Sequence, residues 1–137
     1  MRRKGDGSWV SFDDFIMEPG VPIYAQIIRY VKGAVAAGAV ADGEELPSRR
    51  VLSALLGVNP NTIQKAYRLL EEEGLIRSHP GAKSYVSAPP ERAAAIRGEL
   101  LAAEARRAAE ALRRMGLDRG AALELIGRLW DEGEEET

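Results

Sequence analysis

Apolar residues recur along this chain at two spacings, and the change of period marks its elements. Ile23, Ile27, Tyr30, Val31 and Val35 step by four and three, which predicts an amphipathic helix over 23–37. Gly38 suits its C-cap, and Asp42-Gly43 marks a turn. Ser48 suits the N-cap of a second helix running to Leu56, with Val51, Leu52, Leu55 and Leu56 expected to face inward. Gly57 closes that helix, and only Val58 separates it from Asn59. The Asn59 side chain can accept from an amide of a third helix, and Pro60 falls at the first helical position, where its missing N–H costs nothing. Ile63, Ala66, Tyr67 and Leu70 then form one buried stripe, with Asn61, Thr62, Gln64, Lys65 and Arg68 mostly off it. Two helices joined by so tight a glycine-containing turn predict a helix-turn-helix.

After Gly74 the period changes. Leu75–Ser78 and Lys83–Ser87 are two short strands around His79-Pro80-Gly81-Ala82, a hairpin placed where a wing would follow a recognition helix. Ala88-Pro89-Pro90 is a stiff connector. Glu91–Met115 is rich in strong helix formers, and Leu101, Ala105, Ala108, Leu112 and Met115 alternate steps of four and three, the seam spacing of packed helices. Gly116 ends that helix, and Asp118 caps a last one bearing Leu123, Ile126, Leu129 and Trp130. Two helices alone bury too little surface to be stable, so these apolar faces need either the winged domain or a second copy. A second copy is the expectation.

The predicted fold class is α+β, mainly helical: a winged helix-turn-helix domain over 21–88, then a two-helix C-terminal dimerisation region over 91–132. Residues 1–20 form an N-terminal arm, in which Trp9, Val10, Phe12, Phe15 and Ile16 call for packing against the body or a partner subunit. Residues 133–137 form a solvated acidic tail.

Composition narrows the chemistry. The 137 residues are 45% hydrophobic, enough for a core. There is no cysteine and one histidine, so no disulfide framework or thiolate metal site exists, and a zinc site is not expected. No metal or cofactor is implied. No P-loop or dinucleotide glycine pattern occurs, and a Ser/His/Asp set would have to use that one histidine, His79, which falls in a turn. The chain is therefore not expected to be an enzyme. Apolar runs are too short to span a bilayer, and the basic start lacks an apolar signal core, so a cytoplasmic protein without a membrane partner is the expectation. Net charge is −2, but residues 44–87 carry six basic and five acidic side chains, against eight and eleven from Glu91 onward. A mildly basic face on an acidic body suits site-specific binding of double-stranded DNA.

Leu46-Pro47-Ser48-Arg49-Arg50, Gly57-Val58-Asn59-Pro60-Asn61-Thr62, Ala66-Tyr67 and Glu73-Gly74-Leu75-Ile76 together resemble the winged helix-turn-helix regulators of the GntR family. The Val-Asn-Pro-Asn-Thr run and the short helical tail resemble its YtrA subfamily. The resemblance implies a homodimer on an inverted-repeat operator, and a transcriptional repressor of its own operon and of transporter genes. Arg50 matches the family arginine that contacts DNA. Asn59, Asn61, Thr62 and Gln64 match positions that reach phosphates and base edges, and Gly81 matches the wing-tip glycine. The short tail matches the subfamily's dimerisation element.

Three positions depart from the pattern. Arg49 replaces an apolar or small residue and could add a phosphate contact, and Val51 replaces a common glutamate. The wing lacks the arginine before its glycine and a second glycine, a charge Lys83 could restore. Lys65 and Arg68 would add to the salt-dependent part of the affinity. The alternative is a winged-helix protein-interaction module without specific DNA binding, which loss of DNA binding in Arg50→Ala would distinguish. The sequence names no operator and no small-molecule effector.

Overall fold

A computed structural model describes residues 10–79 and 83–135. The Met1–Ser8 arm, Trp9, the Gly81 turn and Glu136 lie outside the described residues. The chain forms two compact units, residues 1–98 and residues 99–137.

In the first unit, helix α1 (Ile23–Ala36) starts behind Pro22, whose carbonyl accepts from Ala25 and Gln26. Helix α2 (Arg49–Leu56) begins at Ser48, whose hydroxyl accepts from the Val51 amide at 3.1 Å. Helix α3 (Pro60–Glu72) begins at Asn59, whose side-chain oxygen accepts from the Asn61 amide at 2.8 Å. Between them Gly57 takes φ +67°, a left-handed conformation that L side chains rarely adopt. Strands β1 (Ile76–Ser78) and β2 (Ser84–Val86) pair antiparallel, with Ile76 opposite Val86 and Ser78 opposite Ser84. Both strands are shorter than expected. Pairing extends beyond them, because the Leu46 amide donates to the Ser84 carbonyl, the Val86 amide to the Glu44 carbonyl and the Val10 amide to the Glu45 carbonyl.

Helix α3 is the hub, packing on α1, α2 and β1. Its stripe of Ile63, Ala66, Tyr67 and Leu70 is fully buried, as are Ile27 and Val31 of α1, Leu52 of α2, and Leu46, Leu75, Ile76 and Val86. Helix α2 corrects one expectation: Leu52 is buried, but Val51 and Leu55 are 40% and 60% exposed. Ser53 takes an inward position instead, because its hydroxyl donates to the Val58 carbonyl at 2.6 Å and holds the tight turn. That rotates the buried face of an eight-residue helix away from Val51 and Leu55.

The N-terminal segment packs on this body. Phe12 is buried and stacks on Tyr30 at 4.8 Å, and Phe15 meets Tyr30 edge-on at 5.3 Å. The buried Gln26 amide binds Glu18 and Val21 backbone groups. The expected Pro-Pro connector is shorter than predicted, since helix α4 (Pro90–Arg114) takes Pro90 as its first residue. Its start belongs to the first unit: Ile96 is buried, and Arg92 and Arg97 donate to the Glu73 and Ala36 carbonyls.

The second unit holds the rest of α4 and helix α5 (Arg119–Glu135), capped by Asp118 through the Ala121 amide at 2.9 Å. Helix α5 runs through residues 133–135, so the acidic stretch expected to be a loose tail is helical to Glu135. No residue of α5 is fully buried.

Candidate nucleic-acid interface

The cap, the proline start and the buried stripe of α3 determine what its opposite face presents. Asn61, Gln64, Lys65 and Arg68 are all exposed there, within the first nine residues of the helix, and Thr62 is half-buried beside them. Four exposed hydrogen-bonding side chains on one short face, over backbone amides at a helix N-terminus, suit phosphate oxygens and base edges. Arg50 is exposed on the first turn of α2. The sequence-predicted residues Arg50, Asn59, Asn61, Thr62, Gln64, Lys65 and Arg68 thus all lie on the helix-turn-helix.

Two of these cations are held in place. The Lys65 ammonium lies 4.0 Å from the centre of the Tyr24 ring on α1, a cation–π contact the sequence reading missed. Arg68 pairs with Glu72 one turn later at 2.8 Å. Lys83 stands at the start of β2, exposed, 3.7 Å from Glu45. His79 closes the hairpin through its amide to the Lys83 carbonyl and packs its ring edge-on against Tyr85.

Arg49 is placed differently. Its guanidinium lies over the Tyr67 ring at 5.1 Å and 3.5 Å from the Glu71 carboxylate, with Nε closed off from solvent. The Tyr67 hydroxyl donates to the Pro47 carbonyl at 2.6 Å. Burial pushes that phenol well above the ordinary tyrosine range, and Arg49 draws it partly back. The hydroxyl therefore stays protonated as a donor across the neutral range.

The acids at the far end of α3 are all engaged. Glu71 meets Arg49 and accepts from Ser78, Glu72 meets Arg68, and Glu73 meets Lys32 of α1 at 2.7 Å. Carboxylates at a helix C-terminus are disfavoured by its dipole, so these partners offset a local cost. The partners of Glu71 and Glu73 lie on other elements, so those pairings leave no periodic trace in the sequence.

Among the described residues no cluster could hold a metal ion, and no helix is long and apolar enough to cross a membrane.

Residues 23–86 match the family described as bacterial regulatory proteins, gntR family. The chain is 32% identical to YtrA from Sulfolobus acidocaldarius, a GntR-family transcription factor, over 73% of this chain and 99% of that one, with a TM-score of 0.52. The chain belongs to the GntR family. It is also 44% identical over 66 residues to the HTH-type transcriptional repressor YtrA of Bacillus subtilis, a match covering 48% of this chain. It spans 51% of that repressor's length. A GntR family transcriptional regulator from Listeria monocytogenes superposes with a TM-score of 0.74 at 26% identity, over 82% of this chain and 98% of that one. As a GntR-family winged helix, the chain has α3 as the second helix of its helix-turn-helix and β1–β2 as its wing.

The expected dimer residues lie on α4 and α5, except Met115, which falls in the turn after α4. Leu101, Met115, Leu123, Ile126, Leu129 and Trp130 are exposed, Met115 at 78% and Trp130 at 66%; Ala105 and Ala108 are exposed and Leu112 half-buried.

Proposed function

We propose that this chain is a dimeric, sequence-specific DNA-binding regulator that represses transcription from inverted-repeat operators, its own operon and transporter genes among the targets. The observation that carries this reading is the exposed face of α3, where Asn61, Gln64, Lys65 and Arg68 stand opposite a fully buried stripe. Helix α3 enters a major groove. Gln64 and Asn61 read adenine edges, and Thr62 and the Asn59-capped helix start meet phosphates. Arg50, Lys65, Arg68 and Lys83 supply the salt-dependent attraction, and the Gly81 turn approaches the flanking minor groove or backbone. The exposed apolar residues of α4 and α5 pair with those of a second copy. That pairing sets half-sites roughly 34–36 Å apart or a multiple of it. A dimer seated over a promoter excludes polymerase.

Titrating a selected operator with the wild type, Arg50→Ala and Gln64→Ala tests the division of labour. Arg50→Ala should weaken binding to every sequence and lower the salt slope by about 0.9. Gln64→Ala should relax preference at one base pair, by roughly 1–3 kcal/mol of discrimination. Uniform loss for both variants would defeat the assignment.

A further inference from the structure

Arg49 begins α2 beside Arg50, yet its surroundings are those of a packed side chain. The guanidinium lies 5.1 Å over the Tyr67 ring, its Nη2 is 3.5 Å from Glu71 Oε1, its Nε is sealed from solvent, and the side chain keeps 32% of its exposure. A cation at the first position of a helix opposes the dipole, so Glu71 offsets a cost that Arg49 creates there. The same Glu71 Oε1 accepts from the Ser78 hydroxyl of β1 at 3.1 Å, and Ser78 shares a 2.8 Å hydroxyl bond with the buried Ser84 of β2. A continuous polar chain thus runs from the start of α2, across the C-terminal half of α3, to both strands of the wing. The two hydroxyl links are short and directional and the Arg49–Glu71 link is an ion pair, so together they tie the base of the wing to α2 and α3.

We propose that Arg49 is a positioning residue: gripped between Tyr67 and Glu71, it sets the base of the wing against the recognition helix and makes no phosphate contact of its own. This inference rests on the DNA-binding reading above, and adds that wing engagement depends on a side chain that never meets DNA. Removing either end of the Arg49–Glu71 pair releases the wing while leaving α3 capped by Asn59 and its reading face unchanged. Lysine at position 49 keeps the charge but lacks the planar group that lies over Tyr67 and reaches Glu71, so it should not substitute.

The test uses the full chain as wild type, Arg49→Ala, Arg49→Lys, Glu71→Gln and the Arg49→Ala/Glu71→Gln pair. In the free protein, amide resonances of Ser78 and Ser84 should shift in every variant, while those of Asn61 and Gln64 stay in place. On a selected operator, each single variant should bind roughly three- to tenfold more weakly, and the double variant no worse than the weaker single. The salt slope should match the wild type, and hydroxyl-radical protection should be lost at the flanks and kept in the central major grooves. A phosphate-contacting Arg49 behaves oppositely. Arg49→Ala would then lower the salt slope by about 0.9, Arg49→Lys would restore it, and Glu71→Gln would tighten binding by freeing the guanidinium. That pattern, or unmoved Ser78 and Ser84 resonances, overturns the proposal. Absence of any selected operator for the wild type would instead sink the DNA-binding reading, with the amide resonances still deciding where Arg49 acts.

Discussion

Replacing Tyr67 by phenylalanine removes one oxygen from the largest fully buried side chain among the described residues, and its consequences can be worked from the geometry. The hydroxyl donates at 2.6 Å to the Pro47 carbonyl, tying α3 to the segment that leads into α2. Losing a net hydrogen bond costs about 0.5–1.5 kcal/mol, and a carbonyl left unpaired in the core raises the total to roughly 1.5–3 kcal/mol at neutral pH. Burial also raises the phenol's folded-state pKa far above its unfolded value of about 10. A raised folded value means the native state holds this proton more tightly. Its stabilisation is therefore complete below pH ~10 and falls above it, by about 1.4 kcal/mol per pH unit. The variant lacks that alkaline loss. Urea denaturation of both proteins followed by circular dichroism, from pH 7 to 11.5, should show a constant gap up to pH ~10 that closes about one to two units higher. All other titrating groups are common to both curves and cancel. A gap that stays constant to pH 11.5 would refute the claim that Tyr67 is buried as a neutral donor.

Other outcomes follow from the same structure. Asn59→Ala removes the acceptor for the Asn61 amide and should cost about 1 kcal/mol in the same denaturation assay, with weaker operator binding. Gly57→Ala meets no atom within 4 Å at its new Cβ but keeps φ +67°, so strain alone should cost roughly 1–2 kcal/mol, and thermal melts would check it. Leu129→Lys, on the exposed apolar face of α5, should convert the proposed dimer to a monomer in sedimentation velocity while the winged unit's amide spectrum is unchanged. A dimer that persists would move the interface elsewhere.

How much was legible depended on the range of the interaction. Ser48, Gly57, Asn59, Pro60 and Asp118 act on backbone groups within a few residues, and each element boundary they imply lies within a residue or two of the observed one. The stripe on α3 follows from period alone. Helix α2 misled because eight residues admit two similar apolar faces. The choice between them was made by the Val58 carbonyl, which needed Ser53 as a donor. The packing of Arg49 was hidden for a related reason. Its neighbour Arg50 is exposed, whereas Tyr67 and Glu71, some twenty residues on, hold Arg49 inward. Tyr24 beside Lys65 was invisible because the pairing depends on how α1 crosses α3. Residues 133–137 were read as a solvated acidic tail from their run of glutamates, yet α5 continues through Glu135. Side-chain commitments between distant elements, more than the elements themselves, were what the sequence withheld.

The central claim is that the exposed face of α3 reads a specific operator as part of a dimer. In vitro selection of genomic DNA fragments with purified protein at physiological salt tests it most directly. A shared inverted repeat, with half-sites one helical turn or a multiple apart, should appear upstream of the protein's own operon. Recovery of fragments with no common site, or of none, would contradict it.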